Sequence, residues 1–265
     1  MAILLALVGA LTVARAASQG QPPAASSRTL LAVFAHPDDE TIVGPLLARY
    51  ARQPGTRVHL VSVTSGDQGV TPFAKIPAGE ALAAARSKEL ACACEALGAQ
   101  PPVLLGMPDG GLTSVRVLAE TTAKLEKALA DIRPDAIVTW GPDGGYGHPD
   151  HRLVSALVTQ IVQAGGATRR LYYAGLPASR LNSDDVRSLR FPAPFAPTAD
   201  GLLNVRVQYT TEDAERAAKS LRCHASQFTP ETMTLIGTLT EKIHGGRMHL
   251  REWAGGPARA DLFDR

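Results

Sequence analysis

The stretch Leu30-Leu31-Ala32-Val33-Phe34-Ala35-His36-Pro37-Asp38-Asp39-Glu40 decides the reading of this chain. Its opening run is unbroken apolar residue, the composition of a strand buried on both faces of a parallel sheet. The run then breaks into a histidine, a proline and a series of carboxylates, so the space beyond the strand's carboxyl end is polar and charged. Working outward, the same grammar repeats. Leu30 to Phe34, Val58 to Val63, Val103 to Leu105 and Ala136 to Trp140 read as strands, while Ile42 to Arg52, Glu80 to Leu97, Val115 to Ile132 and His151 to Gln163 carry apolar residues at helical spacing. Strands alternating with helices define an α/β fold, a Rossmann-like open and mostly parallel sheet flanked by helices. Each strand ends in a polar, Gly- or Pro-rich segment: after the first come Thr64-Ser65-Gly66-Asp67, Gly106-Met107-Pro108-Asp109-Gly110-Gly111 and Gly141 to His151. Ligands of open α/β sheets bind beyond the carboxyl ends of the strands, so these separated segments converge on one site.

Farther out the pattern loosens. Pro177 to Asp200 is proline-rich without a clear period and reads as a long loop over the site; Asn204 to Tyr209 alternates like a strand, and helices are expected at Glu212 to Ser226 and Glu231 to His244. At the other end, Ala2 to Val13 is apolar or small and is followed by Ala14-Arg15-Ala16 and a polar run. This reads as a signal peptide over residues 1–16 with an A-x-A cleavage site, a flexible leader over 17–29, and a single domain over 30–265. The stretch falls short of the about 20 apolar residues a bilayer span needs, so no stable span is expected once it is removed. A secreted or periplasmic location follows, or a cytoplasmic one if the segment is not a signal. The 27 basic and 25 acidic side chains nearly cancel, which argues against nucleic acid as a partner. A small-molecule or glycan substrate is expected instead, and a homo-oligomer is left open. No disulfide framework is visible among three cysteines: Cys92 and Cys94 read as small buried side chains, and nothing marks Cys223 as a nucleophile.

A lone His-Pro-Asp triplet would be a solvated turn. Here a second cluster, His148-Pro149-Asp150-His151, follows another strand and opens another helix. Residues three apart in a first helical turn project to one side, and both His36/Asp39 and His148/His151 have that spacing. A catalytic zinc takes three such ligands and keeps a fourth position open; His36, Asp39 and His151 supply them. Fe(II) suits the same donor set. Asp38 is then the spare carboxylate beside the ion, a general base for attacking water, and His148 the spare histidine, which serves a developing oxyanion or the departing amine; Asp150 is placed to orient its ring. No G-x-G-x-x-G follows the first strand, which argues against dinucleotide binding. His59, His244 and His249 are read as structural, the last two in a Gly-rich tail, and His224 as either a packed core histidine or a substrate contact.

Ala35-His36-Pro37-Asp38-Asp39-Glu40 and Gly145-Tyr146-Gly147-His148-Pro149-Asp150-His151 together resemble the LmbE-like, or PIG-L, N-acetylglucosaminyl deacetylases. Weaker matching features run from Leu30 to about Phe228: Thr64-Ser65-Gly66, Arg86, Glu89, Leu97-Gly98, Asp109-Gly110-Gly111 and His224-Ala225-Ser226-Gln227. The resemblance implies zinc at His36, Asp39 and His151, Asp38 as base, and His148 as oxyanion or acid partner. It also places Tyr146, Arg86 and Asp109 among the substrate contacts, although an exposed Arg86 paired with Glu89 three residues on is an equal expectation. The implied activity is hydrolysis of an N-acyl, in the family N-acetyl, group on an amino sugar. An amidase for a glycopeptide or thiol conjugate, and a secreted carbohydrate-binding or metal-storing protein without turnover, are the competing readings.

Overall fold

The computed structural model describes residues 27–168 and 170–264. The segment expected to be a signal peptide, and most of the expected leader, lie outside the described residues. The first strand, β1, spans Arg28–Phe34 and so begins two residues before the expected domain start. A short 3-10 helix, Asp39–Val43, precedes α1, Gly44–Ala51, so the single helix expected from Ile42 is split where Pro45 enters the first turn. Then come β2 (Thr56–Thr64), α2 (Glu80–Leu97), β3 (Val103–Met107), α3 (Val115–Ile132), β4 (Ala136–Thr139) and α4 (Pro149–Gln163). The C-terminal third holds β5 (Leu171–Ala174), α5 (Ala178–Leu181), α6 (Asp184–Arg187), β6 (Val205–Gln208), α7 (Thr211–Cys223), α8 (Pro230–His244) and β7 (Arg247–Glu252).

The strands form one sheet in the order β3-β2-β1-β4-β5-β7-β6. The first five are parallel, and β7 and β6 add an antiparallel edge. Strand order reverses direction at β1, so the gap between the ends of β1 and β4 is the topological switch point, where this architecture leaves a crevice. One face of the sheet is covered by α1 and α2, with Leu46, Tyr50, Leu90 and Leu97 buried against Leu30 and Phe34, and α7 packs on those two helices. The other is covered by α3 and α4 through Val117, Leu125, Val154 and Val158. Central strands buried on both faces explain the continuous apolar run that opened the sequence. A third cluster, Leu176, Val186, Leu239 and Ile243, packs the segment after β5 onto α8. Among the described residues no helix is long and apolar enough to cross a membrane.

Two expectations are corrected. Cys92 and Cys223, 131 residues apart, form a disulfide with their Cα atoms 5.8 Å apart, because α2 and α7 pack side by side; only Cys94 is the free buried cysteine expected. The Gly-rich tail assigned to His249 is the strand β7, while His244 is the last residue of α8, where the helix expected from Glu231 ends, and the ring nitrogens of the two histidines meet at 3.2 Å.

Candidate active site

The loop after β1 carries the site's tightest backbone. Asp38 adopts φ 100°, a left-handed conformation that a residue with a Cβ enters only when its surroundings enforce it. The surroundings are specific. The Glu40 carboxylate accepts the Asp38 N–H at 3.0 Å, and the Thr41 hydroxyl donates to the Asp38 carbonyl at 2.7 Å. Arg86, buried on α2, donates to the carbonyls of Gly66 and Pro37 and to the Asp38 carboxylate, the last at 2.9 Å. Gly66 has φ +64° and a Cβ there would collide with the guanidinium, so a glycine is required where Arg86 passes. Arg86 is therefore not an exposed helix charge paired with Glu89. Glu89 instead accepts the backbone N–H and the hydroxyl of Ser226, each at 2.7 Å.

His36, Asp39 and His151 meet at the switch point. One oxygen of Asp39 is occupied by the backbone N–H groups of Ala35 and His36 at 3.1 and 2.9 Å; the other lies 3.1 Å from His151 Nε2. His151 Nδ1 donates to the Gly144 carbonyl at 3.1 Å, and its ring stacks on Trp140 with centroids 4.6 Å apart. His36 Nε2 faces Asp109 at 3.0 Å and Asp150 at 3.4 Å. Each imidazole thus gives its outer nitrogen to an acceptor, which turns the lone pair of its inner nitrogen inward. Those inner nitrogens are 3.2 Å apart, and His36 Nδ1 is 3.6 Å from the Asp39 carboxylate. Two imidazole nitrogens and the two oxygens of one carboxylate this close are held by shared protons or by a cation, and a tetrahedral ion with bonds of about 2.0–2.2 Å wants its donors roughly 3.3–3.6 Å apart. The donor set fits a divalent cation that prefers nitrogen and oxygen.

A second carboxylate grouping, His36 with Asp109 and Asp150, has similar spacing. Its carboxylates are partly engaged by hydrogen bonds: Asp150 Oδ2 accepts the Gly110 N–H at 2.8 Å and Asp109 the Gln68 N–H at 2.8 Å, while the buried Asp150 Oδ1 has no partner among the described residues. Asp150 and Asp109 both orient His36. The carboxylate of Asp150 does not hold the His148 ring; His148 Nδ1 accepts instead from the backbone N–H of Asp150 at 3.2 Å, and the His148 ring packs edge-on to His36 with centroids 4.8 Å apart.

The electrostatics favour the cation. Burial alone would lower the pKa of His36, but its hydrogen bonds to Asp109, Asp150 and Asp39 push it up to about 12. Burial would raise Asp39, yet His151 and His36 hold it well below the usual carboxylate range. Asp38 goes the other way: burial lifts it to about 6 despite the opposing Arg86 charge. Burial, then the nearby His36 and His151, lowers His148. Tyr146 lies edge-on to His151 with centroids 5.1 Å apart and is partly exposed in the crevice. His224 is fully buried and bonded to Glu40 Oε1 at 2.6 Å, so it takes the packed-core role. Glu40, the stacked Trp140 and that Glu40–His224 pair were not singled out from sequence; a carboxylate directly after a site motif and a tryptophan at a strand end were the available signals.

Beside Asp38 and Asp39 opens a cavity of about 420 Å³, walled by the segment after β5 and by α8. The loop expected over Pro177 to Asp200 does cover the site: Phe191 and Phe195 line the cavity, and the Ala196 N–H donates to the Gly145 carbonyl at 2.7 Å.

An open α/β sheet with an ion cradle, a buffered carboxylate and a crevice at its switch point is the layout of an enzyme. Residues 31–162 match the PIG-L family, described as GlcNAc-PI de-N-acetylase. The 1D-myo-inositol 2-acetamido-2-deoxy-alpha-D-glucopyranoside deacetylase of Rhodococcus jostii (strain RHA1) is 35% identical over 246 residues, 77% of this chain and 83% of its own length. The protein of the same name from Rhodococcus opacus (strain B4) is 40% identical over 173 residues, 57% of this chain and 59% of its own. In fold, the N,N'-diacetylchitobiose deacetylase from Pyrococcus horikoshii superposes with a TM-score of 0.62 at 23% identity, covering 85% of this chain and 83% of that one. The chain belongs to the PIG-L family of deacetylases, hydrolases of the amide bond.

Proposed function

We propose that this protein is a zinc-dependent hydrolase that removes an N-acyl group from an amino sugar or amino-sugar conjugate. The observation that carries the reading is the inward convergence of His36, Asp39 and His151 with a spare, uncoordinated carboxylate, Asp38, fixed beside them. When bound there, Zn²⁺ supplies Lewis acidity, making water acidic near neutral pH and polarising an amide carbonyl. Asp38, lifted toward neutrality, takes the proton of the attacking water. Arg86 keeps that carboxylate in place. His148, packed against the rings of His36 and His151, stabilises the developing oxyanion or returns a proton to the amine, and Tyr146 bounds the substrate's entry.

The relatives' printed substrates, acetamido-sugar inositols and a diacetylated chitobiose, support an acetylated amino sugar as the test compound. Zinc-loaded protein should release acetate from N-acetylglucosaminyl conjugates; Asp38→Ala should keep its metal and lose about 10²–10⁴-fold in kcat. Turnover that survives this substitution, or metal lost with it, sinks the assignment. Metal content after anaerobic purification separates zinc from Fe(II). We also infer that Ala2 to Ala16 directs export.

A further inference from the structure

We propose that the cavity beside Asp38 and Asp39 is an acyl-chain pocket, and that the substrate class is an amino sugar carrying a medium-chain N-acyl group of about eight to ten carbons. This rests on the deacylase reading above.

The walls are hydrocarbon: Leu176, Phe191, Phe195, Ile236, Leu239 and Ile243 surround the space, drawn from the segment after β5 and from one side of α8. Apart from Asp38, Asp39, Trp140, Tyr146 and His244, the polar side chains that line it have their donors committed inside the protein. Thr41 donates to the Asp38 carbonyl at 2.7 Å, Thr240 to the Ile236 carbonyl at 2.9 Å, and Gln227 Nε2 to the Gly69 carbonyl at 3.0 Å; the Thr232 hydroxyl pairs with that of Thr229 at 3.2 Å. A sugar ring enclosed here would leave several hydroxyl groups poorly paired, at a cost that a methylene chain avoids.

Which side of the scissile bond enters follows from what stands at the mouth. Asp38 and Asp39 line the cavity, so the reacting carbonyl sits where it meets the ion cradle. His148, the group suited to meet the departing amine, is not among the residues lining it. The amine, with its sugar, therefore faces the crevice near His148, and the acyl group points the other way, between Tyr146, Phe191 and Phe195. A methylene occupies about as much space as a water molecule, roughly 30 Å³. A chain of eight to ten carbons thus fits within the cavity's volume of about 420 Å³ with room to spare, whereas an acetyl methyl would leave it almost empty.

The test is kcat/KM for zinc-loaded protein on N-acyl glucosamines of two, four, six, eight and ten acyl carbons, beside alkyl glycosides of N-acetylglucosamine with matched chains. Burial of each methylene should raise kcat/KM about fourfold in the acyl series, with a gain of more than a hundredfold by eight carbons, and the glycoside series should stay flat. Ile236→Trp narrows the cavity and should move the optimum to shorter acyl chains. Independently of turnover, decanoate should raise the Tm of metal-free protein and butyrate should not. Hydrolysis with no acyl chain-length dependence, or a gain confined to the glycoside series, overturns the acyl assignment alone. If no amide in either series is hydrolysed, the deacylase reading falls and takes this inference with it.

Discussion

At the scale of single residues, the site is organised around one uncomfortable conformation. Asp38 sits at φ 100°, which costs on the order of 1–3 kcal/mol, and stays there because Arg86, Glu40 and Thr41 grip its carboxylate, amide and carbonyl. Arg86 reaches two backbone carbonyls and Asp38 at once through a planar fork that an ammonium cannot reproduce. Arg86→Lys should lower kcat about 10–100-fold while metal content, read by elemental analysis, stays at the wild-type level; an unchanged kcat would mean that Asp38 needs no such clamp. Asp109 acts on the opposite side, through His36 Nε2. Asp109→Ala should weaken metal affinity about 10–100-fold in chelator competition, because it removes an acceptor that orients a ligand; equal retention in both proteins would remove Asp109 from that role. The His-Pro-Asp-Asp and His-Pro-Asp-His runs were legible because spacing within one helical turn is a local property. Arg86 was ambiguous because its partners, Pro37, Asp38 and Gly66, belong to two other segments, while the neighbour visible along the helix, Glu89, turns away to Ser226. The role expected for Asp150 shifted for a similar reason: its carboxylate finds His36, more than a hundred residues away, instead of the adjacent His148.

Among the elements, the long periodic ones were read to the residue: α2 and α3 have the bounds their apolar spacing predicts. Two strands, β5 and β7, were not read. β5 is four residues of Leu-Tyr-Tyr-Ala, too brief for a period to emerge, and β7 alternates buried and exposed residues behind two glycines that suggested a tail. Missing β7 hid a consequence for stability. Burial lowers the pKa of His244 to about 3, and burial followed by the Arg206 charge lowers that of His249 to about 4; Arg180, Arg247 and Asp200 also face His249. Both are neutral when folded, whereas the unfolded chain takes up protons near 6.5. Between those values the unfolded state binds more protons, so stability is intact above pH 6.5 and falls with pH toward the folded values. For the buried His244 the loss between pH 6.5 and 5 is about 2 kcal/mol. Denaturant midpoints taken across that range should fall in the wild type and fall less in a His244→Leu, His249→Leu double variant; parallel curves would refute the linkage. The disulfide belongs to the same scale, since it ties α2 to the end of α7 one residue before His224. Cys223→Ser should cost about 2–4 kcal/mol in denaturant unfolding, and reductant should then have no further effect.

For the whole molecule, we infer one compartment from two unrelated features, the N-terminal segment and the disulfide. An apolar stretch ending in Ala-Arg-Ala is a sequence argument about processing, and it concerns residues with no part in the described structure. A Cys92–Cys223 bridge is a structural argument about redox environment, because such bonds persist in oxidising compartments and are rare where thioredoxin and glutathione keep thiols reduced. The sequence could supply only the first: Cys92 and Cys223 are separated by 131 residues, and nothing local announces that α2 and α7 will lie against each other. Expressed in its native host, the protein should be found outside the cytoplasm with a mature N-terminus at Ala17. Cys92 and Cys223 should then resist maleimide until reduced. The same chain without its first 16 residues, made in a reducing cytoplasm, should carry reactive thiols at both positions and unfold at lower denaturant. The fold and the ion cradle should survive this, since the sheet and His36, Asp39 and His151 lie outside the two helices that the bridge joins, and turnover per folded molecule should match the exported form. Recovery of the native protein from the cytosol with Met1 intact and both thiols free would overturn the export assignment while leaving the proposed chemistry at His36, Asp39 and His151 untouched.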